Sequence, residues 1–346
     1  VARTRLVTST APAGDVVGRA PSADDRLVRA YTERTPGSAA SFAAARRVLP
    51  GGETRAVTTY PPYPVIIAEG HGGRLTDVDG HIYLDLVNNY TAMVHGSAFP
   101  PATEAVAELL PQGFAFASPH PYQIALAELL AARMASLRRV RFTNSGTEAA
   151  LLAARIAARA TGRRRLLMFD GAYHGSATLF LPGSPDMVRV PWNDPDAVAV
   201  LLGRPDHDIA AVFAEPFLGA GGVRPAAPGF LAAVAGLARD HDVLFVLDEV
   251  QGLRNGFGGE QGRLGLTPDG ATPAGRCGGG AWSGRGEGAW ARRGPRRNYT
   301  MRLVRPLTNL VVTEQCGRAG RPREGEVNGD CGYLALTACP RSSWSS

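Results

Sequence analysis

Val243-Leu244-Phe245-Val246-Leu247-Asp248-Glu249-Val250-Gln251 opens on five apolar residues and closes on an acidic pair. An unbroken run of branched and aromatic side chains of this length predicts a strand buried on both faces. Carboxylates at the end of such a strand are costly unless a partner answers them. Upstream, Ile209–Ala214 (IAAVFA) reads as a second buried strand, with a helix over Gly229–Arg239 between the two. Further back lie a short strand at Val140–Thr143, a strong helix at Glu148–Ala160 and another strand at Leu166–Phe169. Apolar strands alternating with helices predict an α/β fold, a mostly parallel central sheet with helices on both faces. Ligands in such sheets sit at the carboxyl ends of the strands.

The flanking regions are read more coarsely. Residues 1–40 form a leader, expected to be partly mobile, with a short helix near Asp24–Thr32. Residues 41–95 form an N-terminal segment: a helix at Ser41–Leu49 stopped by Pro50-Gly51-Gly52, then short strands at Val65–Ala68, Arg74–Asp77 and Ile82–Leu86. The large α/β domain runs from 96 to 269 and begins with helices at Thr103–Leu110 and Gln123–Leu137. From Gly270 to Ser346 periodicity is lost in favour of Gly and Arg, so this tail is read as aberrant and disordered; strands at Met301–Val304 and Leu310–Thr313 are the most it suggests.

Charge divides the chain at the same place. The 37 basic residues are all arginine; there is no lysine. Twelve arginines and five acidic residues lie from Gly270 onward, which leaves the rest of the chain at −1. The net +6 therefore belongs to the tail and gives no reason to expect a nucleic-acid partner for the body. An Arg-Gly tail with Trp282 and Trp290 has an RNA-binding reading, but frameshifting accounts for the same composition more fully. The four cysteines form no C-x-x-C pair, so no metal site is expected. No apolar run is long enough to span a membrane, and Val1–Ala20 lack a signal-peptide stretch, so a cytoplasmic enzyme is expected.

Four motifs carry chemistry. Asn144-Ser145-Gly146-Thr147-Glu148 stands between a strand and a helix, where exposed N–H groups and two hydroxyls suit a phosphate; taken alone it reads more readily as an ordinary helix cap. Asp170-Gly171-Ala172-Tyr173-His174-Gly175 follows a strand and offers an aromatic ring to a planar ligand, or a core tyrosine to a turn. Glu215-Pro216 ends the IAAVFA strand and offers a carboxylate. Asp248 suits a pyridine nitrogen, which it would keep protonated. The competing reading of Asp248-Glu249, a magnesium site of a nucleotide hydrolase, requires a phosphate-loop lysine that this chain lacks.

In order and spacing these motifs resemble the class III aminotransferases, closest to the glutamate-1-semialdehyde 2,1-aminomutases. The similarity runs from about Arg46 to Asp269 and includes Pro50-Gly51-Gly52 with Arg55, TDVDGHIYLD (76–85), NSGTEAALLAARIAARATGR (144–163), FDGAYHG (169–175), AEP (214–216), LDEVQ (247–251) and LGLTPD (264–269). The resemblance implies the aspartate aminotransferase-like fold type I of pyridoxal 5'-phosphate enzymes, with a small amino or keto substrate and a homodimer. By it, Ser145, Gly146 and Thr147 bind the phosphate, Tyr173 stacks on the ring, Asp248 pairs with the ring nitrogen and Val250 packs on the other face. His174 and Glu215 belong to the same cofactor group, and Arg55 takes the substrate carboxylate, unless it is a plain surface arginine. Gln251-Gly252-Leu253-Arg254 and Ser176 depart from the family pattern and leave the substrate open, with a class III ω-aminotransferase as the alternative.

The largest departure follows Asp269. There the family has a lysine that forms the Schiff base with the cofactor and shuttles a proton. Its expected place is Gly275 or Arg276. Arginine stays protonated and is neither nucleophile nor base. If Gly275-Arg276-Cys277 is encoded GGA-AGG-TGC, the frame offset by two bases reads Lys-Val, and the same frame permits Val-Gly-Ala across Trp282–Arg285. The resemblance thus implies a transaminase or aminomutase with its C-terminal domain missing or aberrant, inactive in this chain. A non-catalytic binding protein on the same fold is the other reading.

Overall fold

The computed structural model describes residues 23–54, 58, 60–113, 115–272, 274–275 and 279–284, the last two stretches by backbone alone. The chain divides into two compact units at Leu86/Val87, earlier than the boundary expected near residue 95.

The first unit carries helices α1 (Ala23–Arg34) and α2 (Pro36–Ala45) and a three-stranded antiparallel sheet, β1 (Ile67–His71), β2 (Arg74–Asp77) and β3 (Ile82–Leu84). The TDVDGHIY stretch is turn chemistry. Asp77 accepts the amides of Asp79 (2.9 Å) and His81 (2.8 Å) on one oxygen and the Tyr83 hydroxyl (2.8 Å) on the other. Burial works against its charge, but these bonds hold it down at about 2. Asp79 in turn caps α2, accepting from the amides of Gly37 (2.6 Å) and Ser38 (3.0 Å). Pro36 stands in the first turn of α2, and the helix starts there, ahead of the expected Ser41, because the fixed φ of proline suits that position.

The second unit opens with the short, irregular α3 (Asn88–Thr91), then α4 (Pro100–Leu109) and α5 (Pro121–Arg133). Next come β4 (Arg141–Thr143), α6 (Gly146–Thr161), β5 (Arg165–Phe169), β6 (Met187–Val190), α7 (Pro195–Leu202) and β7 (Ile209–Ala214). A small hairpin, β8 (Phe217–Leu218) with β9 (Arg224–Pro225), precedes α8 (Phe230–Asp240), β10 (Leu244–Leu247) and α9 (Gly259–Arg263). Strands β6, β5, β7, β10 and β11 (Gly270–Ala271) run parallel in that order. One face packs on α7 and α8 through Val212, Ala214, Phe245 and Leu247. The other packs on the alanine stripe of α6 through Ala211, Phe213 and Val246. β7 is buried at every position, as its unbroken apolar sequence requires.

The sheet does not stop at Asp269. β11 and β12 (Ala274–Gly275) pair with β13 (Gly279–Gly284) in one continuous antiparallel register, Gly270 opposite Gly284 and Ala274 opposite Gly280. The other edge of β13 pairs with β4, Gly280 opposite Thr143. In the stretch expected to begin a disordered tail, strands β12 and β13 instead close the gap between β11 and β4, giving an eight-stranded sheet. Main-chain pairing asks little of side chains, so a Gly-rich segment can fill the place. The leader before Ala23 and the tail from Arg285 lie outside the described residues.

Candidate functional site

The carboxyl ends of β4, β5, β7, β10 and β11 lie along one edge of the sheet. Asp248 follows Leu247, its amide donating to the Ala214 carbonyl at 2.7 Å. Val246, two residues earlier, packs on the α6 alanines, so strand alternation turns Asp248 to the same face. One of its oxygens accepts the Val250 amide (3.0 Å) and the other meets His174 Nδ1 at 2.7 Å. Asp248 and His174 are both buried. An ionised carboxylate only accepts, so Nδ1 carries the hydrogen of this bond. The imidazole is boxed edge-on by Phe213 (5.7 Å) and Phe180 (6.4 Å). His174, expected among cofactor contacts, thus bonds Asp248 directly.

Glu215 occupies the matching position after β7. Its two oxygens accept the amides of Tyr173 (3.0 Å) and Gly219 (3.2 Å), which fixes the loop after β5 against the loop after β7. Burial raises its pKa; the nearby His174 and the two amides oppose that rise. Tyr173 remains about half-exposed at 48%.

Ser145 caps α6, accepting the Glu148 amide at 3.2 Å, while the Glu148 carboxylate accepts the Asn144 amide at 2.6 Å. This varies the reciprocal cap that the spacing suggests, the carboxylate reaching the amide of the residue before the cap. Thr147 Oγ1 accepts the Ser176 amide at 3.3 Å. Each hydroxyl keeps its own proton to donate, and the helix ladder uses neither the Gly146 nor the Thr147 amide. Gly175, at φ +112°, lies against Thr147: a Cβ there would come within 2.8 Å of the Thr147 Cα and collide with its hydroxyl. The AYHG turn and the helix start are therefore held in contact.

Glu249, left without a role by sequence, is fully buried. It accepts the amides of Glu260 (3.1 Å) and Gln261 (2.8 Å) and so ties the start of α9 to the end of β10. Gly252 leaves room for its carboxylate, which a Cβ at that position would overlap. Burial raises the Glu249 pKa, against the pull of both amides. Val250 and Gln251 thus lie on a loop pinned at both ends. Arg55 and Arg276 lie outside the described residues; Gly275 is in β12. Among the described residues no His/Cys/Asp/Glu cluster could hold a metal, and no helix is long and apolar enough to cross a membrane.

The start of α6 presents amides and hydroxyls, and the end of β10 presents the buried carboxylate of Asp248. Comparison with known proteins gives the family. The class III aminotransferase family model matches residues 56–285. This chain belongs to that family. The class III member β-phenylalanine transaminase of Variovorax paradoxus is 35% identical over 84% of this chain and 72% of its own length. A glutamate-1-semialdehyde 2,1-aminomutase of Roseiflexus castenholzii is 39% identical over 68% of this chain and 60% of its own, so the chain spans less than two thirds of that relative. Among solved class III structures, an ω-transaminase from Sphaerobacter thermophilus superposes with a TM-score of 0.73 at 38% identity, covering 80% of this chain and 72% of the other. A transaminase with PLP bound superposes equally well at 31% identity, over 79% and 71%. The fold is that of the pyridoxal-phosphate transferases of fold type I, and pyridoxal 5'-phosphate is the family's cofactor.

Proposed function

We propose that this chain binds pyridoxal 5'-phosphate as a glutamate-1-semialdehyde 2,1-aminomutase-like member of the class III family, but without a covalent bond and without turnover. One observation supports the reading: helix-start amides and hydroxyls at Ser145–Thr147 and the buried carboxylate of Asp248 stand in a chain with no lysine. When bound, the cofactor supplies an electron sink for amino-group transfer. Ser145 and Thr147 donate to the phosphate, with the amides of Gly146 and Thr147. Asp248, held by His174, keeps the ring nitrogen protonated. Tyr173 covers one face of the ring and Val250 the other, and Glu215 locks the loop that carries Tyr173. Arg55 takes the substrate carboxylate. No residue here supplies the amine or the mobile proton that transfer requires.

A solved lysine-to-alanine variant of a Pseudomonas aeruginosa aminomutase, 26% identical to this chain, is complexed with PMP, which supports binding without the lysine. An ω-aminotransferase is the second reading, favoured by the 84% of this chain that aligns with the β-phenylalanine transaminase. A small amino or keto substrate and a homodimer go with either reading, as does a cytoplasmic location. Titrating the purified chain with pyridoxal phosphate, and offering it glutamate 1-semialdehyde and β-phenylalanine, tests the proposal. Saturable binding with neither substrate consumed is the expected result; turnover of either one contradicts it.

A further inference from the structure

We propose that Thr272 is a further ligand contact at this edge of the sheet, its hydroxyl meeting the arm that joins ring to phosphate. The inference rests on the pyridoxal-phosphate reading above. Leu247 pairs with Ala214 on one side and with Ala271 on the other. One residue further along these three adjacent parallel strands stand Glu215, Asp248 and Thr272. The Thr272 amide donates to the Leu247 carbonyl at 3.0 Å, just as the Asp248 amide donates to that of Ala214. In-register neighbours of a parallel sheet leave it on the same face. For this row that is the face α6 covers, since Phe213 and Val246, two residues earlier, pack on its alanines.

The members of the row differ in how their polar atoms are used. Both oxygens of Glu215 and both of Asp248 have partners. Thr272 is only 1% exposed, and its Oγ1 has no hydrogen-bond partner among the described residues. A hydroxyl sealed from water without a partner destabilises a fold, and valine would fill the same volume without that cost. Such an atom is explained when a ligand completes it. Its place names the ligand's part: the sheet order β10, β11, β13, β4 sets Thr272 between Asp248 and the strand that leads into Ser145–Thr147. A phosphorylated pyridine reaching from one to the other passes over it.

Pyridoxal-phosphate titrations and thermal melts of the wild-type chain, Thr272→Val and Thr272→Ser test this. Thr272→Val is expected to melt at a higher temperature than wild type without ligand, yet to bind about three- to tenfold more weakly, the loss of one hydrogen bond. Thr272→Ser should bind like wild type. Wild-type affinity in Thr272→Val overturns the proposal while leaving the cofactor reading intact; no binding by the wild-type chain overturns both. Should Thr272→Val fail to fold, Thr272→Ala serves with the same two outcomes for affinity.

Discussion

Two neighbouring segments of one sheet, the end of β10 and the β11–β13 hairpin, meet the same structural demand by different means. At Leu244–Gln251 nearly every side chain is committed: the strand to the core, Asp248 to His174, Glu249 to the start of α9. In β11, β12 and β13 the sheet is continued by backbone pairing, through strands with no lysine and no carboxylate. A strand position can be filled by almost any chain that pairs. A catalytic position is filled by one functional group or not at all. Backbone pairing therefore places fewer demands on sequence than a catalytic position does.

Restoring the offset frame just after Asp269 breaks this comparison most completely. It is expected to bring a lysine near position 275 and, with it, a visible cofactor absorbance band and turnover of an amino substrate. Gly275→Lys or Arg276→Lys alone should do far less, because catalytic groups need placement to within roughly 0.5 Å. Full activity from a single substitution, measured as amino-group transfer, would show that the segment beyond is not foreign.

On the committed side, Asp248→Ala strands the His174 ring in its aromatic box and removes the partner of the ring nitrogen. Leaving the buried Nδ1–H without an acceptor costs about 1–3 kcal/mol. Urea unfolding should register a loss of that order, and pyridoxal-phosphate affinity should fall by more than about tenfold. Unchanged affinity would remove Asp248 from the site. A smaller effect on affinity is expected for Gly175→Ala, which forces the AYHG turn off Thr147 and adds a side chain at positive φ. About 1–3 kcal/mol is the expected cost, with weaker phosphate binding; a neutral result would mean that the two loops are not held in contact.

The smallest effect concerns pH. Burial raises Glu215 and Glu249 in the folded state. The stability contributed by their neutral forms is fully present below the unfolded value of 4.5 and is lost as pH rises through the raised folded values. The hairpin, without carboxylates, adds nothing to this slope. Unfolding free energy measured from pH 4.5 upward should therefore fall less steeply in Glu249→Gln than in wild type; identical slopes would locate the dependence elsewhere.

Much of this was legible before any coordinates. Ile209–Ala214 is a strand over its whole expected length because six consecutive apolar residues have few alternatives to burial in a sheet. Ser145 and Glu148 cap α6 because a cap is local chemistry. The site motifs Ser145–Thr147, Tyr173 and Asp248 were found through order and spacing, and the roles of those residues toward the cofactor are proposals. Less local features did not show. β6 and α7 went unpredicted: Met187–Val190 is short and interrupted by Arg189, whose guanidinium reaches the Phe169 carbonyl at 3.0 Å. The His174–Asp248 bond joins residues 74 positions apart, and Glu249 finds its amides on a helix with no apolar period. The hairpin escaped notice because its pairing partners, not its residues, make it a strand.

Borohydride reduction of the chain saturated with pyridoxal phosphate, followed by mass spectrometry of the intact protein and its peptides, tests the central claim most directly. Bound cofactor that dialyses away, with the protein mass unchanged after reduction, is the predicted result. A reduced adduct on any side chain of the site would contradict it.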